Sequence, residues 1–464
     1  MNQLNLFPDL KYNFWLFAVV LSLCFAVSAG VRYQQFEKWK KTPAVFFVGE
    51  RPMMTTLDAP FWLRWAREYN EKTYGQKDYL RNYPGSTDTF QEMSVNKLTP
   101  PLKYNDTIHS SSSSSYGTKV ISYRDVPLLS FLIAHLAPFF NDNYYLTGTL
   151  LIPVLASLFI LPLGIYFFSI GVPVPGLLGG LVGTFAGGYY MRSSIGRIDT
   201  DMLNLFFLVL AALLILLASR AKTERSVLLY AFGTGLSLFL FQWWYSKAGF
   251  TWGYFAVLVF CLFVQQIRFR TILLSAFLFV LSAHPAIFMS GINNIQGILK
   301  VYFSIEIASE ALIDNVTTPA SFPNTMTTIS EVDRVPMEEV LRRVLSNTLF
   351  AWAGCFGLCG LAVLRWRVLL PLLPMLALGL LSFQSSNRFI MYLAPFIGIG
   401  LGWFLSLGLE SVFLFLRKKD TEGSGKKGLA AKGGKIIFAG GTKSKGHTEV
   451  LRQKGTKGEE FQSI

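Results

Sequence analysis

Asp199 and Asp201 stand two residues apart in Arg197-Ile198-Asp199-Thr200-Asp201-Met202, directly ahead of an uncharged apolar run. A D-x-D pair at such a boundary offers hard oxygen ligands, the kind that Mg²⁺ or Mn²⁺ accepts when it holds a diphosphate against carboxylates. The competing explanation is a helix start, where an aspartate satisfies free backbone N–H groups and suits the helix dipole. That accounts for one acid more easily than for two. Asp58, in TTLDAPFWLR (55–64), is a further acid, and a helix start followed by Pro60 explains it about as well as a ligand role does. Glu331, in TISEV (328–332), reads on its own as a solvated loop acid or as another ligand. Arg388, in SSNRFIMY (385–392), opens an apolar run. A guanidinium there either reaches for lipid headgroups or grips a phosphate through its paired N–H donors. Acids and arginine together point to metal-assisted chemistry on a phosphorylated lipid.

The chain that must position these groups has 464 residues, 52% of them hydrophobic and only 15% charged. Such a composition is too apolar for a soluble domain and predicts an all-α polytopic membrane protein. Apolar runs at 14–31, 145–170, 174–190, 202–219, 226–241, 249–265, 271–289, 347–365, 368–383 and 388–416 read as spans. Weaker stretches at 127–140 and 290–303 bring the expectation to about 10–12 spans. The net charge of +14 suggests nucleic acid at first sight, but the cations sit in alternate short loops and at the C-terminal end, so membrane topology explains them and no nucleic-acid partner is expected.

Placing Lys11, Arg220, Lys222, Arg225, Arg268, Arg270, Arg365, Arg367 and Arg417 on one side satisfies the positive-inside rule with a single threading. The N-terminus and the C-terminal tail are then cytoplasmic, and all the candidate site residues face the other compartment. Two long extracytoplasmic loops follow, at 32–126 and 290–346. Residues 1–416 form the expected transmembrane catalytic domain, and 417–464 a basic disordered tail, either drawn to anionic lipid or merely solvated. The first apolar run, lacking a small-residue cleavage site, reads as a retained anchor. Cys24, Cys261, Cys355 and Cys359 all lie in apolar runs and read as packing residues. The serine run at 110–115 reads as flexible surface.

With these motifs in order, the chain resembles the catalytic subunit of oligosaccharyltransferases, and among them the bacterial single-subunit enzymes of protein N-glycosylation, over residues 10–416. Asp58 in LDAPFWLRWAR looks like the family's first acidic motif, and YYMRSSIGRIDTDML (189–203) looks like its metal-binding D-x-D. TISEV looks like the T-I-x-E motif of the family's fifth outside loop, and RFIMYLAPF (388–396) like its R-F-x-x-Y segment.

The resemblance implies a GT-C glycosyltransferase that moves an oligosaccharide, with inversion, from a polyprenyl diphosphate to asparagine in an N-x-Ser/Thr sequon. Its partners would be the lipid-linked oligosaccharide, an acceptor polypeptide and membrane lipid, and its setting a bacterial inner membrane with the active site facing the periplasm. Asp58, Asp199 and Glu331 would ligate Mn²⁺ or Mg²⁺, with Asp201 ligating or positioning. Asp58 and Glu331 would hold the acceptor amide N–H groups and weaken the delocalisation that makes a carboxamide nitrogen a poor nucleophile. Arg388 would stabilise the departing diphosphate. Arg343 matches an arginine that reads an acidic residue two before the asparagine in some bacterial members. The family's W-W-D-Y-G motif, which binds the sequon hydroxyl, is not found in these residues, so a separate polypeptide is expected to supply acceptor binding. Rival readings are another GT-C enzyme using a polyprenyl-linked sugar, a silent truncated paralogue acting as scaffold, and a transporter. The transporter would carry its charges in mid-span.

Overall fold

The computed structural model describes residues 13–74, 126–245, 249–286, 288–289, 291, 335–383 and 387–430. Glu331 with the rest of TISEV, and the serine run at 110–115, lie outside the described residues.

Among the described residues, six helical stretches are long and apolar enough to cross a membrane: Phe14–Lys41, Tyr144–Ser169, Asp201–Arg220, Glu224–Tyr245, Thr348–Phe383 and Ile390–Ser411. Shorter apolar helices at Leu128–Phe140, Pro173–Phe185, Gly249–Val264 and Phe269–Ser282 join them. The chain is a mostly helical, multi-pass membrane protein. Strand structure is confined, among the described residues, to an antiparallel pair, Phe47–Val48 with Arg51–Pro52.

Several boundaries differ from the hydropathy reading. The first helix runs on to Lys41, so the loop expected from 32 begins after it. Ser28, Arg32, Phe36 and Trp39 explain the extension, because they recur at helical spacing and are all buried. The run expected at 174–190 stops at Phe185, where Ala186 turns extended ahead of the short helix Gly187–Tyr190. The two spans expected at 347–365 and 368–383 form one stretch that breaks direction at Arg365, which has non-helical dihedrals, and tightens to a 3-10 turn at Leu370–Leu372, where Pro371 sits. The last helix continues to Ala430, so 417–430 are helical where a disordered tail was expected. Extending an existing helix adds one hydrogen bond per residue fixed, which needs no new nucleus. The chain divides at Leu409 into a main unit and a second unit, 410–464.

Asparagines start three of the spanning stretches. Asn13 accepts from Trp15 N at 2.9 Å, Asn143 from Leu146 N at 3.0 Å and Asn347 from Leu349 N at 3.0 Å.

Glycine lets the last helix be clasped from two sides. A Cβ on Gly402 would lie 2.6 Å from Pro175 Cα, and one on Gly400 would lie 1.9 Å from Gly354 O. Backbones that close require small residues, the usual device for packing helices in lipid. The stretch from Ile390 to Gly400 is buried throughout. Arg388 stands just ahead of this immobilised segment, and its backbone position is set by that clasp.

Candidate active site

Asp58 reaches the site through backbone contacts. Past the strand pair, Met53 N donates to Phe46 O at 2.8 Å, and Thr55 N to Gly196 O at 3.0 Å. Gly196 has φ +80°, and a Cβ there would meet Met53 O and the Trp39 ring, both at 2.7 Å, so only glycine permits this approach. The segment before Asp58 is thereby laid along the loop that carries the D-x-D. Asp58 then begins the helix Ala59–Asn70, yet its carboxylate makes no capping bond and is solvent-exposed. Its position is that of a helix start, while its oxygens are left available for another task.

Thr200, not an aspartate, is the cap residue of Asp201–Arg220, and it makes no side-chain capping bond. Asp199 Oδ1 accepts from Thr200 N at 2.6 Å and from Thr200 Oγ1 at 3.3 Å. Asp201 is fully buried. Its Oδ2 takes Arg192 Nη1 at 2.9 Å, and its Oδ1 takes Arg388 Nη2 at 3.0 Å and Asn204 Nδ2 at 3.1 Å. Trp244 Nε1 donates to Thr200 O and fixes the backbone between the two acids. Arg388 also stands over the Tyr245 ring, 5.7 Å from its centroid.

Electrostatics separates the two acids. Burial, with Asp201 beside it and Asp58 adding in the same direction, raises the Asp199 carboxyl to about 6, against the opposing pull of the Thr200 N–H and Arg388. Burial disfavours the charged Arg388, but Asp201, Tyr245 and Asp199 outweigh that and hold its pKa above the ordinary arginine value. Asp199 is thus short of positive charge, whereas Asp201 is already matched by two guanidiniums.

Of the expected site residues, Asp199, Asp201 and Arg388 are brought together, and Asp58 lies within electrostatic reach of Asp199. Arg343 is elsewhere engaged: on the helix Met337–Val344 its Nε donates to Glu339 Oε1 at 2.9 Å, and Arg342 pairs with the same carboxylate. Among the described residues no three His, Cys, Asp or Glu side chains come close enough to enclose a metal ion. The donor chemistry nonetheless suits a hard cation. Asp199 is an undercompensated buried acid, Asp58 has uncommitted oxygens, and the buried Oδ1 of Asn204, whose amide nitrogen holds Asp201, has no hydrogen-bond partner among the described residues.

Sequence reasoning missed Arg192, Tyr245 and Asn204. Arg192 was visible as a cation seven residues ahead of Asp199, but nothing in that spacing announces an ion pair closed by an irregular loop. Among the described site residues, Asp201 stands at the first residue of Asp201–Arg220 and Arg388 ahead of Ile390, not in mid-span where a transporter is expected to carry its charges.

No protein-family model matches the chain. It is 23% identical over 392 residues to the undecaprenyl-diphosphooligosaccharide–protein glycotransferase of Campylobacter jejuni strain RM1221, across 75% of this chain and 50% of that protein. The protein of the same name from C. jejuni subsp. jejuni serotype O:2 is 23% identical over 390 residues, with 75% and 50% covered. The chain spans about half the length of the curated relatives it matches. Among solved structures, the apo oligosaccharyltransferase of Archaeoglobus fulgidus superposes with a TM-score of 0.52 at 13% identity, covering 89% of this chain and 52% of that one. The resemblance drawn from the motifs is borne out by these relatives, and the mostly helical membrane fold is like that of the A. fulgidus oligosaccharyltransferase.

Proposed function

We propose that this chain forms the donor-binding and transfer site of an oligosaccharyltransferase, moving an oligosaccharide from a polyprenyl diphosphate to asparagine in an N-x-Ser/Thr sequon. The observation that carries this reading is Asp201, fully buried and gripping Arg192 and Arg388 beside the undercompensated Asp199. A pair of guanidiniums held by one buried carboxylate is rigid, and the planar fork of a guanidinium suits the oxygens of a diphosphate. Such donors act at the moment the leaving group gains charge, without reorganising.

Within that reading, Arg388 holds the leaving diphosphate and Arg192 is the second cation beside it. Asp201 positions both rather than ligating a metal, since its oxygens are engaged by arginine and asparagine. Asp58 and Asp199, with Glu331, would hold Mg²⁺ or Mn²⁺. Bound there, the ion would draw negative charge from the diphosphate. Asp58 and Glu331 would take the acceptor amide N–H groups, loosening the amide resonance as the nitrogen attacks the anomeric carbon. Arg343 would approach the acceptor only by giving up Glu339. The site faces the extracytoplasmic side of the membrane, the periplasm in a bacterial inner membrane. The relatives' names support a lipid diphosphate donor and a protein acceptor. Nothing in the comparisons supports a separate polypeptide for acceptor binding.

The test is glycopeptide formation by the purified protein from a polyprenyl diphosphate oligosaccharide and a fluorescent D-Q-N-A-T peptide with Mn²⁺, beside Asp199→Ala. Product that depends on both metal and Asp199 is expected. Folded protein that neither forms product nor binds the lipid diphosphate would overturn the proposal.

A further inference from the structure

Arg32 lies on the first helix and is fully buried. Among the described residues it makes six contacts to oxygen, and none is to a carboxylate. Nε donates to Ser193 O at 2.9 Å. Nη1 donates to Ser28 O at 3.3 Å, Ser28 Oγ at 3.0 Å and Thr184 Oγ1 at 2.9 Å. Nη2 donates to Thr184 O at 3.0 Å and Ser193 Oγ at 2.8 Å. The rings of Tyr190 and Tyr189 lie 5.1 and 5.8 Å from its guanidinium carbon.

Burying a cation without a counter-charge is costly, and an apolar side chain of similar volume would fill the space at no such cost. What an apolar residue cannot do is join separate backbones in a fixed geometry. The planar fork of arginine does so, linking the first helix, the end of Pro173–Phe185 and the loop that carries the D-x-D.

Two routes lead from Arg32 to the acids. Ser193 follows Arg192, whose Nη1 holds Asp201 Oδ2 at 2.9 Å. Ser193 Oγ also donates to Tyr189 O at 2.8 Å, and Tyr189 Oη donates to Met202 O at 2.8 Å, one residue past Asp201. One route reaches the side chain of Asp201 and the other the carbonyl of Met202 beside it.

We infer that Arg32 is the positioning residue of the donor site: through Ser193 and Tyr189 it sets the placement of Arg192 and of the start of Asp201–Arg220, and it touches no substrate. The inference deepens the donor-binding reading and rests on it for the activity readout alone. Lysine at this position keeps the charge but cannot span Ser193 and Thr184 together, so charge and geometry are separable.

The experiment compares wild type, Arg32→Lys, Ser193→Ala and Tyr166→Phe. Tyr166 donates to Val368 O, so the last variant removes a hydrogen bond away from Arg32 and serves as the control. Undecaprenyl diphosphate binding, donor and peptide KM, kcat, and amide hydrogen exchange across the chain are measured on each folded protein. For Arg32→Lys, donor affinity is expected to fall roughly 10-fold, with kcat lowered, peptide KM unchanged, and exchange accelerated in 191–202 above all. Ser193→Ala is expected to shift the same readouts less, because Nε keeps Ser193 O, and Tyr166→Phe to leave donor affinity alone. Folded Arg32→Lys with wild-type donor affinity and wild-type exchange in 191–202 would overturn the inference. Exchange rising evenly along the first helix and Pro173–Phe185 would also overturn it, because that is what loss of general packing does. If Arg32→Lys fails to fold, Ser193→Ala decides by the same criteria. If wild type binds no lipid diphosphate, the proposed function fails, and the exchange maps alone judge Arg32.

Discussion

Arg388 Nη2 lies 3.0 Å from Asp201 Oδ1, a bond between residues 187 positions apart that ties the entrance of the last described helix to the first residue of Asp201–Arg220. With Arg192 on the other oxygen, the carboxylate has no exposed surface. It is the hub of the site, and its loss should be felt in both stability and activity.

Asp201→Asn leaves two guanidiniums facing a neutral amide in a buried setting. The expected cost is on the order of 3–5 kcal/mol, the range for removing one partner of a buried pair. Thermal unfolding of the purified variant in detergent, alongside donor binding, measures it. An unchanged midpoint would mean that the two arginines find other acceptors.

Asp58→Asn should behave in the opposite way. The carboxylate is exposed and caps no helix, so the unfolding midpoint should stay within experimental error while product formation falls by roughly 100-fold or more, as for loss of a group acting on the reacting atoms. Wild-type turnover in this variant would remove Asp58 from the mechanism.

Arg388→Lys keeps a positive charge near Asp201 but gives up the planar fork. A loss of about 10²–10³ in kcat is expected, the range seen when one preorganised donor to a developing anion is removed. Donor KM measured in parallel should rise as well, because under the proposed function the same group would hold the ground-state diphosphate.

Under the proposed function, metal affinity should depend on pH through Asp199. With its folded pKa raised to about 6, the metal-free protein holds a proton there below that pH, and a cation must displace it. Affinity for Mn²⁺ should therefore fall as pH drops through 6 and level off above it. The metal-free fold runs the other way. A carboxyl whose folded pKa lies above its unfolded value stabilises the fold most at low pH, and that contribution is lost as pH rises from about 4 to 6. Mn²⁺ titrations and unfolding midpoints at pH 5, 6 and 7 check both signs, and a pH-independent affinity would mean that Asp199 does not ligate.

Gly400→Val would drive a side chain into the backbone of Gly354. The clasp on the last helix should open, with a stability loss of a few kcal/mol and a fall in donor affinity, because Arg388 moves with that helix. Limited proteolysis and donor binding report the two effects separately.

The sequence by itself determined a great deal here. Apolar runs of span length announce membrane helices because the lipid interior demands that every backbone polar group be satisfied within the segment. Asp58, Asp199, Asp201 and Arg388 stood out because charges beside such runs are costly unless used, and their motifs carried the resemblance that the homologues and the fold bear out. Tertiary structure decided what each of them meets. Whether Asp201 ligates or positions depends on which cations meet it, and Arg192 and Arg388 arrive from two short 3-10 turns far apart in sequence, Met191–Ser193 and Asn387–Phe389. Nothing in the sequence singled out Arg32, which follows directly on the apolar run 14–31. Its burial, and the three segments it joins, exist only once those segments have packed, because a hydrogen-bond partner 161 residues away leaves no mark on local pattern.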